Sequence, residues 1–404
     1  MSKVYDAIIV GAGPGGSALA TSLARSGLDI LLLDKHHFPR DKTCGDALSP
    51  SAVGILRHLG LEDVLGRVGF RIDGLQLTMP GGELVAAPIL PTSRDGDSAC
   101  VIPRLELDEL LRSAAIRAGS EFAGGVRVTE IIEEQGLVLG STNEKRSSWS
   151  SRIVILAVGA NVGLLKRQGL VPKRLEFSYA VRSYIKGITA VDRQLHIRFD
   201  GVPLPGYGWI FPVSRDSANV GVVAFRKAKG TSNSIYAVFE RFLRQPLVAE
   251  MLSMGHPRGS TKGYPLRTDF HRSPIRRGRL LLIGEAAGLV NPFTGEGIDY
   301  ALESAMVASE SLRDCFATGD FSEHTLSRYD QALRARFQRI FVLTSLMRRI
   351  YMNPRLLDAL GRACGRWPDV APLMVDIFLG RTDPLRAFSP GLMLRILRSL
   401  PTAS

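Results

Sequence analysis

The chain has 404 residues, 51 of them Lys or Arg and 39 Asp or Glu, for a formal net charge of +12. With 45% hydrophobic and 22% charged residues the composition is that of a globular protein, which excludes a disordered polymer. The length can bury a large core, which excludes a small stapled scaffold.

Val4–Val10 (VYDAIIV) is a short apolar run rich in β-branched residues and reads as a buried parallel strand. It leads directly into Gly11-Ala12-Gly13-Pro14-Gly15-Gly16, where Gly11, Gly13 and Gly16 satisfy G-x-G-x-x-G. Small residues follow from Ser17 to Ala24 at helical spacing, and Asp29–Asp34 (DILLLD) is a second apolar strand ending in an acid. Gly11 allows the tight turn, Gly13 lets a pyrophosphate approach the backbone, and Gly16 lets helix and strand pack closely. The helix N-terminus offers unpaired N–H groups to phosphates, and Asp34 can accept from ribose hydroxyls. Strand, glycines, helix, strand and acid in one unit predict a bound dinucleotide.

The longest uncharged stretch, residues 7–24, carries four glycines and a proline at its centre. It reads as neither a spanning helix nor a leader, and a cytoplasmic protein is expected. The four cysteines (Cys44, Cys100, Cys315, Cys364) are far apart with no C-x-x-C pair. No metal site is legible, and a reducing compartment follows. His36 and His37 read as structural or solvent-facing, since adjacent His side chains in a turn seldom share a ligand.

Between Leu164 and Arg277 the texture changes. Alternating segments at Phe177–Ile185, Gln194–Phe199 and Asn219–Phe225, punctuated by Gly and Pro, predict an antiparallel sheet, joined by the earlier segment Arg71–Leu90. Within it, Tyr207, Trp209 and Phe211 fall on one face of a strand and form a wall suited to a long apolar molecule. Further on, Arg279–Ile283 is another apolar strand, opening into Gly284-Glu285-Ala286-Ala287-Gly288 and Asn291–Asp299. A helix pattern follows with Ala301, Leu302, Ala305, Ala308 and Leu312 on one face. An acid at a strand end, a glycine turn and a helix start again make a place for an electron-rich group.

Residues 316–404 read as helical, with breaks expected at Pro354, Pro368, Pro372, Pro384 and Pro390. From Ser345 onward there are nine Arg, no Lys and four Asp, so this segment holds a large share of the positive excess. Leu392–Leu400 is apolar with Arg on one side, the pattern of a helix that contacts a lipid surface. No nucleic-acid motif accompanies the basic residues.

The pieces GAGPGGSALA (Gly11–Ala20), PRDKTCGDALSP (Pro39–Pro50), PRLELDELL (Pro103–Leu111), PGYGWIFP (Pro205–Pro212) and GEAAGLVNPFTGEGIDYALESA (Gly284–Ala305) occur in this order. Together they resemble the geranylgeranyl reductase family, within the FAD-dependent group typified by hydroxybenzoate hydroxylase. The resemblance implies an α/β chain with a Rossmann-type FAD-binding domain (residues 1–70, 96–163 and 278–315) interrupted by an antiparallel-sheet substrate domain (71–95 and 164–277). A C-terminal helical region spans 316–404.

The resemblance also assigns positions. Pro14 and Gly15 would lie at the pyrophosphate, and Asp34 at the ribose. Cys44, Gly45 and Ala47 would lie beside the flavin, Arg104 on the phosphate side and Val128 on the adenine side. Glu285, where the family usually has Asp, would meet the ribityl–pyrophosphate region, and Gly297 and Ile298 would offer N–H groups to the flavin ring. Ala160-Asn161-Val162 departs from the family's Ala-Asp-Gly.

The activity implied is saturation of C=C bonds in an isoprenoid chain of a prenyl lipid, quinone tail or prenylated pigment. Flavin would deliver the hydride and Cys44 the proton, since a thiol with a pKa of ~8.5 holds its proton at neutral pH. No second nucleotide fingerprint is legible, so NAD(P)H or reduced ferredoxin would visit transiently as electron donor. Competing readings are a flavin monooxygenase or halogenase of an aromatic metabolite, and a non-catalytic prenyl-binding protein.

Overall fold

The computed structural model describes residues 3–90, 98–134, 137–141, 148–189, 191–225 and 234–401. Its centre is a sheet in which the strands Leu280–Leu282, Ser148–Leu156, Val4–Val10, Ile30–Asp34 and Glu121–Gly124 lie side by side and parallel. Both faces are covered, which is why these strands read as unbroken apolar runs. The helices Pro14–Arg25, Arg104–Arg117 and Ile298–Thr318 contribute Leu19, Leu107, Leu111, Leu302 and Leu312, all buried, to the core around this sheet.

The glycine fingerprint folds as its spacing predicts. Gly11 takes φ +111°, and a Cβ there would stand 2.3 Å from the Ala157 carbonyl oxygen. A Cβ on Gly16 would stand 1.9 Å from the Gly11 carbonyl oxygen, so only glycine closes this turn against the strand. Gly15 lets the first helix approach the Ile298–Thr318 helix, where its Cβ would meet the Ala301 oxygen at 3.0 Å. Ser22 and Ser309 share a hydrogen bond of 2.7 Å along the same contact.

A second sheet runs His256–Arg267, Phe177–Lys186, Ser217–Ala224, Gly206–Ser214, Gln194–Arg198, Gly74–Thr78 and Leu84–Pro88. It is antiparallel except between Gln194–Arg198 and Gly74–Thr78. Alternation splits the residues of each strand between two faces. Val181, Ile210, Val220 and Val222 pack with Val238, Phe239 and Phe242, the last three from the helix Ile235–Leu243. Ala180, Leu195, Tyr207, Trp209, Phe211 and Val223 belong to a separate core on the other face.

That second core also takes in the C-terminal helices Pro354–Arg366, Val370–Phe378 and Pro390–Arg398. The expected break at Pro372 is corrected by the structure. Pro372 lies in the first turn of the helix Val370–Phe378, where a missing N–H leaves no intrahelical bond unmade. In the helix Pro390–Arg398, Leu392 and Ile396 are buried while Leu394 and Leu397 are exposed. Among the described residues no helix is long and apolar enough to cross a membrane.

Candidate active site

The two sheets meet around one cavity of ≈ 610 Å³, a size typical of ligand pockets. At one end stand Gly11, Gly13, Pro14, Gly15, Asp34 and Val128; at the other, Tyr207, Trp209 and Phe211. Cys44, Gly45, Ala47, Arg104, Glu285, Gly297 and Ile298 also line it. Of the positions singled out in the sequence, Gly16 alone is outside the lining, because it serves the turn behind it.

The dinucleotide end is electropositive and open at the backbone. A Cβ built on Gly13 would find only the Arg40 Nη2 atom, at 3.6 Å. The Asp34 carboxylate accepts from the Ala12 N–H at 2.8 Å and the His36 N–H at 2.9 Å. These bonds fix its orientation and leave lone pairs for two ribose hydroxyls. Arg104 is buried and its guanidinium is forked onto Asp108, with both contacts at 2.7 Å. Arg40 also pairs with Asp108 at 2.7 Å. Lys42 reaches Glu285 at 2.9 Å, and the second Glu285 oxygen accepts from the Arg267 N–H. Lys35, Arg40, Lys42 and Arg127 all border the cavity, so Arg104 is one of several cations there. Sequence reasoning missed the others because isolated basic residues usually mark solvated surface.

The residues present fit FAD. The glycine turn leaves a cradle that a side chain would fill, and the acid ends the second strand. The Ile298–Thr318 helix starts at the cavity wall, with Gly297 at its cap and Ile298 in its first turn. Two carboxyls stand at this helix start. Burial raises the Glu296 and Asp299 carboxyls, and their mutual repulsion adds to the rise for Glu296. Ser49 donates to Asp299.

The part of the cavity built by the second sheet is aromatic. Tyr207 and Trp209 lie 6.3 Å apart, as do Trp209 and Phe211, and Phe199 and Phe225 flank Tyr207. Tyr207 donates to the Thr294 carbonyl, which ties the wall to the loop before the flavin-side helix. The Trp209 indole N–H donates to Asn219 Oδ1 at 3.0 Å. Across the strand pair, Gly221 leaves room for the indole: a Cβ there would stand 2.2 Å from Trp209 Cζ2. Leu195, Val223, Leu266, Phe378 and Leu379 complete the apolar lining. Phe378 and Leu379 come from the C-terminal region, which the sequence pattern linked to lipid contact but not to this cavity.

The loop carrying Cys44 is bolted to the second sheet. Asp41 pairs with Arg182 and with Lys262, the latter at 2.8 Å. Asn219 Nδ2 donates to the Cys44 carbonyl and to Asp46 Oδ2, each at 2.7 Å. A Cβ on Gly45 would stand 3.0 Å from Phe211 Cε2, so the loop lies directly on the aromatic wall. Burial pushes the Cys44 thiol up, against the pull of the Arg104 charge.

A nucleotide cradle opening into an aromatic-walled cavity is the arrangement of a dinucleotide-dependent oxidoreductase. Comparison with known proteins specifies it. The family model described as "FAD binding domain" matches residues 4–344. The chain is 32% identical over 384 residues to the menaquinone reductase of Mycolicibacterium smegmatis, covering 93% of this chain and 92% of that protein. It is 28% identical over 376 residues to digeranylgeranylglycerophospholipid reductase 2 of Methanopyrus kandleri, covering 90% and 91%. A geranylgeranyl bacteriochlorophyll reductase-like structure from Thermoplasma acidophilum superposes with a TM-score of 0.79 at 22% identity, over 93% of this chain and 100% of that one. The flavin-dependent brominase Bmp2 shares the fold at a TM-score of 0.70 and 20% identity, over 94% and 100%. The protein is an FAD-dependent oxidoreductase and belongs to the geranylgeranyl reductase family.

Proposed function

We propose that the protein reduces a C=C bond in the isoprenoid chain of a membrane lipid, with a lipid quinone such as menaquinone as the first candidate. One observation carries this: the cavity passes without interruption from the glycine cradle to a wall of Tyr207, Trp209 and Phe211. The two named relatives act on menaquinone and on a digeranylgeranyl lipid. These molecules differ in head group and share an isoprenoid chain, which is the part an apolar aromatic chamber can recognise.

When bound, FAD supplies the hydride. The protein's own residues supply the rest. Asp34, the glycine turn and the start of the Ile298–Thr318 helix hold the cofactor. The aromatic wall orients the chain and excludes water, which strengthens every electrostatic interaction inside. Electrons come from a transient donor, a nicotinamide or reduced ferredoxin. Leu394 and Leu397, exposed beside Arg398, suit contact with an anionic lipid surface from which the substrate is drawn.

The test is anaerobic. The flavin is reduced chemically, menaquinone is added, and the product is weighed after the ring has been reoxidised in air. A gain of two hydrogens per reduced double bond supports the proposal. A product of unchanged mass with both menaquinone and a geranylgeranyl lipid overturns it.

A further inference from the structure

We propose that Asp46, rather than Cys44, holds the proton delivered to the alkene. This rests on the function proposed above and names its acid. Asp46 lines the cavity, two residues beyond Cys44, with a side chain that solvent does not reach. Among the described residues both of its side-chain hydrogen bonds arrive at one oxygen: Tyr184 O–H and Asn219 Nδ2 donate to Oδ2. Oδ1 is buried and has no hydrogen-bond partner among the described residues. That asymmetry is the arrangement of a carboxylic acid, with Oδ2 as the accepting carbonyl oxygen and Oδ1 carrying the hydrogen. An ionised carboxylate with one bare buried oxygen would be costly. The position is also held by the backbone, since Asp46 adopts φ +67°.

The surroundings favour a working acid. Burial pushes the Asp46 carboxyl up to about 7, while the Tyr184 and Asn219 hydrogen bonds and the Arg182 and Arg104 charges hold it from rising further. Arg182, stacked on the Tyr184 ring at 4.2 Å, and Arg104, forked onto Asp108, are the charged groups facing it from the neighbouring strand and helix. Burial drives the Cys44 thiol up as well, above its ordinary value and so further from neutrality. A general acid works best with a pKa near the operating pH, which selects the carboxyl over the thiol.

The step balances. FAD, when bound and reduced, would supply a hydride to one alkene carbon, and the π pair of the C=C bond would form the second C–H bond with the Asp46 proton. The O–H bonding pair stays on Asp46 as a carboxylate, and the flavin is left oxidised by two electrons. Asp46 would regain its proton through the Tyr184 hydroxyl, which donates to Oδ2 and is itself only part-buried, and the external nicotinamide or ferredoxin donor would restore the cofactor.

The test uses the FAD-loaded enzyme and Asp46→Asn, whose amide oxygen can still accept from Tyr184 and Asn219. Three quantities are read: FAD affinity, single-turnover alkene reduction against pH, and the infrared carboxylic C=O band in the absence of substrate. The variant is expected to bind FAD normally and to reduce the alkene at least ~100-fold more slowly. In the wild type, rate and carboxylic band fall together as pH rises through about 7; in the variant that band is missing. Wild-type-like rate and pH profile in the variant would overturn the proposal. So would a wild-type band that does not titrate near neutrality, a reading that stands even where the variant does not fold. If the wild type itself saturates no isoprenoid chain, the failure belongs to the proposed function.

Discussion

Trp209 and Gly221 are opposed across two antiparallel strands, and the indole occupies the space that any side chain on Gly221 would need. Gly221→Ala should therefore displace the ring and break its hydrogen bond to Asn219, at a cost of about 1–3 kcal/mol. Isoprenoid reduction should fall while FAD stays bound. Thermal unfolding, tryptophan fluorescence and cofactor absorbance check the three parts.

Gly16→Ala tests the other end of the cavity. The added methyl would collide with the Gly11 carbonyl oxygen and the Ala157 side chain. The turn must open, the helix start moves away from the phosphates, and the protein should purify largely without its yellow cofactor. Full FAD occupancy after gel filtration would contradict this account.

Asp46 makes a prediction about stability that is independent of turnover. Its carboxyl is raised from the ordinary carboxylate range to about 7, so between those values the folded state holds a proton that the unfolded state has lost. Stability should decline as pH rises through this window, by up to about 4 kcal/mol from this one group. Asp46→Asn removes that decline. The difference in denaturation free energy between variant and wild type should therefore grow in the variant's favour from acid to neutral pH.

Cys44→Ser separates the sulfur from the carboxyl. Alkene reduction should slow by much less than the ~100-fold expected on removal of a general acid, and the fall in rate near pH 7 should persist. A variant whose pH profile is flat would return the acid role to the thiol.

At the surface, the exposed positions Leu394 (48%) and Leu397 (53%) are replaced together by Glu. Binding to vesicles containing anionic lipid should weaken by roughly tenfold or more. Reduction of a short, water-dispersed isoprenoid should continue, because the buried Leu392 and Ile396 keep the helix in place.

Much of the cofactor end was legible because its determinants are local. The strand at Val4–Val10, the glycine spacing and Asp34 lie within one short stretch, and each obeys a steric rule that any sequence must follow. The aromatic wall was legible for the same reason: period-two spacing places Tyr207, Trp209 and Phe211 on one face whatever they touch. Asp46 was passed over because an Asp after Gly reads as a turn residue. Its chemistry comes from Tyr184 and Asn219, well over a hundred residues away in sequence. Phe378 and Leu379 were missed likewise, since their helix is apolar at every position but Asp376 and nothing local says which cavity it closes. Pro372 misled because proline disrupts the interior of a helix but not its first turn.

The near-contact of Gly45 with Phe211 has one more consequence. The cofactor-side loop and the substrate wall meet backbone to ring, so the gap between redox partner and alkene is fixed by main-chain geometry. Leu195, Val223, Leu266, Phe378 and Leu379 line the cavity away from that contact. On the proposed function, reactivity and selectivity would thus sit on different residues, and a lineage could change which lipid it modifies without reinventing how the bond is saturated.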